Sequence, residues 1–323
     1  MNGRYGPEFI QKSKKRNGKR FPGKLAAACL GAIILAYSTS TILYYSESPR
    51  SIHFLSASTA PLNIAHQGGR LAPPNTIAAF DTAASLDVDM LEMDIHMTKD
   101  GELVVLHDED VDRTTDGTGP TDSYTLEELQ KLDAAYSYQD ENGEFSYRGK
   151  GLYIPTLKEV LERYGDQFLY SLEIKDDYLG VEKMLYEMLQ AYGLENHAVV
   201  TSFDDAMMKR LDKLSEHTIA RSSGLFEALR FALLTKLWLP GFFTTDASVV
   251  QLPVRMKGVS MDSKKVIEFA HRNGLQVHYW TINDKETMKR LLDIGADGII
   301  TDRPDVLKEV IEEYELNESG SFS

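Results

Sequence analysis

Apolar positions fall into two regimes along the chain. No charged side chain occurs from Leu25 to Tyr45, and at about 1.5 Å per residue a helix over this run spans a hydrocarbon core of about 30 Å. Residues 46–61, rich in Ser and Pro, break the run and read as a linker. Beyond residue 62, apolar runs of strand length alternate with stretches whose apolar residues recur at helical spacing, the pattern of βαβ units on a parallel sheet. Strands are expected near Leu62–His66, Asp89–His96, Leu103–His107, Phe168–Lys175, Ala198–Phe203, Thr218–Ser222, Gln276–Thr281 and Gly298–Thr301. Helices are expected over Thr76–Leu86, Thr156–Tyr164, Gly180–Tyr192, Asp204–Leu214, Ser263–Asn273 and Lys285–Ile294. Eight such strands predict an α/β fold, a (β/α)₈ TIM barrel over residues 62–312, followed by a polar tail over 313–323. Two stretches exceed a minimal barrel. Residues 108–152, polar and Tyr-rich, form an insertion after the third strand that is expected to roof the substrate mouth, and residues 240–261 read as irregular.

Charge sets the orientation. The first 24 residues carry eight basic side chains against one acidic one, a net +7, so the remainder carries −21 to bring the whole chain to −14. A basic segment before an apolar span stays in the cytoplasm, which predicts a single-pass cell-membrane protein with a transmembrane helix over 25–45 and an extracytoplasmic barrel. The alternative is secretion after cleavage of a signal peptide near Ser38–Ser40 or Ser56–Ala60. The acidic body argues against nucleic acid as a partner and for a site that recruits cations. Cys29, the single cysteine, lies in the apolar run, so neither disulfides nor thiol catalysis is available to the domain. No Gly-x-Ser-x-Gly elbow, Walker loop, His-Glu-x-x-His or dinucleotide fingerprint occurs.

The chemistry-bearing residues cluster at strand ends. The two-residue period of a strand puts Glu92, Asp94 and His96 on one face and Leu91, Met93 and Ile95 on the other. Neighbouring carboxylates turned into a barrel require a cation or a shared proton. Glu173 and Lys175 share a face of another strand, and three acids without cysteine suit a hard divalent ion, Ca²⁺ or Mg²⁺. His66 and His107 each end an apolar run, at the barrel face that holds active sites, which makes them a candidate general acid and base. Gly68-Gly69 permits close backbone approach, and Trp280 either floors a pocket or fills the core. His53, His197, His217, His271 and His278 show no such placement.

In order along the chain, Ile64-Ala65-His66, Asn75-Thr76-Ile77-Ala78-Ala79-Phe80, Glu92-Met93-Asp94-Ile95-His96, Val104-Val105-Leu106-His107-Asp108, Leu172-Glu173-Ile174-Lys175, Tyr279-Trp280-Thr281-Ile282-Asn283 and Gly298-Ile299-Ile300-Thr301-Asp302-Arg303-Pro304 resemble the glycerophosphodiester phosphodiesterase family, over about residues 62–310. The resemblance implies that Glu92, Asp94 and Glu173 ligate a metal, that His66 and His107 are the catalytic pair, that Lys175 holds phosphate and that Trp280 contacts glycerol. The implied substrate is a small-molecule or lipid-derived phosphodiester, cleaved to glycerol phosphate and an alcohol. The chain departs from the pattern at Gln67, where the family usually has Arg, and at Pro74, where it usually has Glu. Losing both leaves no orphan charge, whereas losing one of a buried pair costs several kcal/mol. Gln67 offers phosphate only neutral hydrogen bonds, and Arg70 in the same loop is a candidate replacement charge. Two other readings are a non-catalytic barrel that binds glycerophosphate-containing material and a lysophospholipase D-like activity.

Overall fold

The computed structural model describes residues 23–46 and 61–320. The basic segment up to residue 22, the linker over 47–60 and His53 lie outside the described residues. Helix α1 (Gly23–Ser46) comes first, and its stretch Leu25–Ser46 is long and apolar enough to cross a membrane. The strands are β1 (Leu62–Ala65), β2 (Met90–Met97), β3 (Leu103–Val105), β4 (Leu169–Ile174), β5 (Ala198–Thr201), β6 (Ala220–Arg221), β7 (Val249–Leu252), β8 (Arg255–Met256), β9 (Val259–Ser260), β10 (Gln276–Tyr279) and β11 (Gly298–Thr301). The remaining helices are α2 (Ile77–Ser85), α3 (Leu126–Leu129), α4 (Leu157–Tyr164), α5 (Val181–Tyr192), α6 (Asp205–Ser215), α7 (Leu225–Lys236), α8 (Lys264–Arg272), α9 (Lys285–Asp293) and α10 (Pro304–Gly320).

Parallel pairing runs in the order β6-β5-β4-β2-β1-β11-β10-β7. A parallel bridge between Ser222 and Val249, with Ser248 N donating to Arg221 O at 3.0 Å, joins the two ends. The result is the expected (β/α)₈ barrel, but one strand differs from the sequence reading. Leu103–Val105 is not a barrel strand: it pairs antiparallel with β2, Ile95 opposite Val105 and Met97 opposite Leu103. The eighth barrel strand is β7, inside the stretch read as irregular, in register with β10 from Val249–Gln276 to Leu252–Tyr279.

The barrel strands are buried on both faces, as parallel strands covered by helices must be. One parity packs outward against the helices in two large apolar layers, one around β2, β4 and β5 and one around β7 and β10. The other parity fills the barrel floor with Leu62, Ile64, Met90, Val199, Val249 and Ile300. His278 is also fully buried, with neither ring nitrogen hydrogen-bonded, and burial pushes it down to about 4. An imidazole whose folded pKa lies below its unfolded value stabilises the fold above the unfolded pKa of about 6.5, and that contribution is lost as pH falls toward about 4. The loss amounts to about 3 kcal/mol by the bottom of that window. His278→Leu is therefore expected to flatten the acid limb of Tm against pH; an unchanged limb would show that His278 does not set it.

Val111, Leu129 and Ala134 of the insertion pack with Val104, Leu106 and Ile154 in a separate apolar cluster. Tyr138 donates to Arg70 O at 2.9 Å, so the insertion lies over the loop after β1.

Candidate active site

The interior parity that is apolar at the floor turns polar toward the carboxyl ends of the strands. On β2 it runs Met90, Glu92, Asp94, and on β4 it runs Leu169, Ser171, Glu173. Strand register sets Asp94 beside Glu173 and Glu92 beside Ser171. One ligand oxygen from each of Glu92, Asp94 and Glu173 lies within 4.8 Å of the others. Lys175 Nζ lies 3.2 Å from both Asp94 Oδ1 and Glu173 Oε1. Burial works against its ammonium, but the two carboxylates outweigh that and raise its pKa. One lysine does not neutralise three acids: burial, with Asp94 next, pushes Glu92 up to about 8, and burial raises Glu173. A second acidic group, Asp212, His217 and Asp246, lies at the opposite end of the barrel. There Arg221 Nε already sits 2.6 Å from Asp212 Oδ2, so that site carries its own cation.

The loop after β1 is shaped around Asp94. Gln67 (φ 55) and Asn75 (φ 58) both adopt the left-handed region, which non-glycine residues populate only when their surroundings hold them there. Here Gln67 N donates to Glu92 Oε2 at 2.8 Å, while Gln67 Nε2 and Asn75 Nδ2 each donate to Asp94 Oδ2 at 2.9 Å. Gly68 follows at φ +81, where a Cβ would lie 2.8 Å from that of Ala79. Gln67, a sequence candidate for substrate binding, is thus buried beneath the carboxylates. Arg70 points to Asp302 Oδ1, 3.3 Å away, and its side chain is 58% exposed.

Each candidate histidine has an aspartate on Nδ1. His66 Nδ1 lies 2.7 Å from Asp302 Oδ1, and Asn283 Nδ2 donates to the other Asp302 oxygen at 2.8 Å. His107 Nδ1 lies 2.6 Å from Asp108 Oδ1, and Arg113 grips the same carboxylate. Such pairs fix the tautomer that leaves Nε2 for a substrate proton. Burial disfavours the His66 imidazolium, yet Glu92, Asp302 and Asp94 outweigh it and push it up to about 9. The bond from Arg113 holds Asp108 down at about 2. His107 arrives by an indirect route: β2 turns back as β3, Leu106 N bonds Asp94 O at 3.0 Å, and the next residue stands over the carboxylates. Asp108, Asn75, Asn283 and Asp302 had no role in the sequence reading, although each sits in a quoted motif; nothing in the sequence alone pairs Asp302 with a histidine 236 residues earlier. His96 turns away, buried, with Nε2 3.3 Å from His107 O and Nδ1 3.0 Å from an Asp176 oxygen.

His66, Glu92, His107, Glu173, Lys175 and Trp280 line one cavity of about 450 Å³. Asp94 lies at its base through its contacts with Lys175 and Gln67. Trp280 is 37% exposed at the mouth and is not a core residue. Among the described residues, none of positions 108–152 lines this cavity, so the insertion does not form the expected roof over it.

The profile of the glycerophosphoryl diester phosphodiesterase family matches residues 66–306, a span that takes in every one of these side chains. The chain belongs to this family. A glycerophosphodiester phosphodiesterase of Caldanaerobacter subterraneus is 36% identical over 260 residues, covering 77% of this chain and 97% of its own. One of Bacillus subtilis is 32% identical over 269 residues, covering 78% of this chain and 87% of its own. Among solved structures, an Oleispira antarctica phosphodiesterase in complex with the product sn-glycerol-3-phosphate is similar to this chain with a TM-score of 0.58, at 25% identity, covering 81% of this chain and 100% of its own.

Proposed function

We propose that this family member is a membrane-anchored, divalent-cation-dependent glycerophosphodiester phosphodiesterase. The observation that carries the reading is the convergence of Glu92, Asp94, Glu173, Lys175, His66 and His107 on one cavity end. Glu92, Asp94 and Glu173 would hold a Ca²⁺ or Mg²⁺ ion, whose hard all-oxygen donor set they match and whose charge would relieve the repulsion that raises Glu92. Bound there, the ion supplies Lewis-acid neutralisation of phosphate charge. Lys175, on the same wall, contributes a second positive charge to the phosphate. One imidazole takes a proton from the attacking oxygen, that of water or of a substrate hydroxyl, as it bonds to phosphorus. The other delivers a proton to the departing alcohol oxygen as its bond to phosphorus breaks. Asp302 and Asp108 keep both rings in the reactive tautomer. Trp280 at the mouth packs against the glycerol.

α1 serves as a single-pass anchor, with the +7 segment cytoplasmic and the barrel outside. Gln67 acts on the cation's ligand and not on phosphate. Removing such a supporting group costs about 10- to 100-fold in metal affinity. Gln67→Ala is therefore expected to shift the cation concentration for half-maximal activity upward by that factor while leaving the saturated rate nearly intact. A lower saturated rate with unchanged cation dependence would place Gln67 on the substrate instead. The function itself is tested by release of glycerol phosphate from soluble diesters by the full chain in detergent, before and after chelation, with Ca²⁺, Mg²⁺ or Mn²⁺ restored. Release that is absent, or indifferent to chelation, rejects the proposal.

A further inference from the structure

The wall of the cavity opposite the carboxylates is apolar, formed by Phe203, Leu225, Ala228, Leu229 and Met256. It does not end at the cavity. Along the outer face of α7, Phe226, Leu233 and Leu237 are 74%, 57% and 55% exposed, and Trp238 after the helix is 55% exposed. Their spacing keeps them on one stripe of the helix. A core helix has no reason to be apolar outside, and α7 is apolar on both faces, its inner one being Ala228, Phe231 and Ala232. The stripe runs into α1: beyond Trp238, Gly241 N donates to Ser40 Oγ at 3.0 Å, and a Cβ on Gly241 would collide with the Ser40 carbonyl. Arg272 Nε donates to Tyr44 O at 2.8 Å beside it. The apolar surface therefore starts at the helix able to cross a membrane and ends at the catalytic cavity. Its flanks are basic on an otherwise acidic body: Arg230 and Lys236 are exposed on α7, and Lys265 Nζ sits 4.1 Å from the centre of the Trp238 ring.

We infer that α7 is an interfacial helix that docks the barrel on the bilayer surface, laying the apolar wall of the cavity against lipid so that the site takes acyl-bearing phosphodiesters directly from the membrane. Apolar stripes with aromatic residues and basic flanks partition into the headgroup region in this way. The substrate part of this inference rests on the phosphodiesterase reading; the docking part does not.

The experiment uses the full chain reconstituted in phosphatidylcholine–phosphatidylglycerol vesicles. Trp238 and Trp280 are the two tryptophans, so a Trp280→Phe background reports Trp238 alone. Lipids brominated on the acyl chains are expected to quench Trp238 at least twofold, and Phe226→Ser/Leu233→Ser/Leu237→Ser is expected to abolish most of that quenching. In the native background the triple variant is expected to lower turnover of vesicle-borne lysophosphatidylcholine about tenfold or more and to leave that of water-soluble glycerophosphocholine unchanged. Unquenched Trp238, or a detergent-solubilised chain that dimerises through α7, overturns the docking. Equal loss on both substrates overturns membrane capture. If the native chain cleaves neither diester while Trp238 is quenched, the phosphodiesterase reading has failed and the docking stands.

Discussion

Alanine at His66 or at His107 is expected to lower kcat for a soluble glycerophosphodiester by about 10² to 10⁴ with little change in KM. The expectation follows from geometry. Each ring is anchored through Nδ1, at 2.7 Å to Asp302 and 2.6 Å to Asp108, and both line the cavity that holds Glu92 and Glu173. A residue that moves a proton only as bonds form and break contributes to the transition state and not to ground-state binding, so the loss falls on kcat. Since the proposed reaction uses both rings, the double variant is expected to fall little below the worse single variant. Asp302→Asn supplies the intermediate case: the ring remains, its tautomer is no longer enforced, and the rate drops without loss of fold. Steady-state kinetics on the four proteins decides. A His66→Ala variant with native kcat would remove His66 from the chemistry.

The second large effect concerns the carboxylates. Asp94 is the most heavily contacted of the three, accepting from Gln67, Asn75 and Lys175 at 2.9, 2.9 and 3.2 Å. Asp94→Asn removes the negative charge of a proposed ligand and sets an amide N–H₂ against a donor where a carboxylate oxygen accepted, so activity is expected to fall about 10³-fold or more. Chelation of the native chain should give a loss of the same order, reversed by the ion. Ligand binding to the folded state also raises its stability, by about 2.7 kcal/mol at a hundred times Kd. The native chain should therefore melt higher with the cation, and Asp94→Asn should melt at the same temperature with and without it. Denaturation scans at several cation concentrations measure this independently of catalysis.

Much of the fold and the site could be read from residue order alone. The strand period correctly put Glu92 and Asp94 together, and His66 does stand at the end of β1. What escaped was direction and closure. Leu103–Leu106 has the composition of a barrel strand, and apolar runs do not say whether they pair parallel or antiparallel, so β3 took the place that belongs to β7. β7 hid because Val249–Leu252 is short and sits between Pro240 and Pro253 in a stretch without regular periodicity. α7 hid for the opposite reason: with Phe226, Leu233 and Leu237 outside and Phe231 inside, the apolar periodicity that betrays an amphipathic helix is erased. His96 shared the parity of Glu92 and Asp94, but the backward turn into β3 packs it beneath His107, where burial lowers its pKa. Gln67 took its role from its place beside His66, and only its left-handed backbone shows that the side chain reaches Asp94.

The proposed function rests on one cation that acids from β2 and β4 would hold. Titration of Mn²⁺ into the full chain, with each carboxylate variant beside it, measures that directly. One ion per chain is expected, lost in Glu92→Gln, Asp94→Asn and Glu173→Gln, kept in His66→Ala and His107→Ala, and indifferent to Asp246→Asn. Binding that survives all three carboxylate changes, or that disappears with Asp246→Asn, would contradict it.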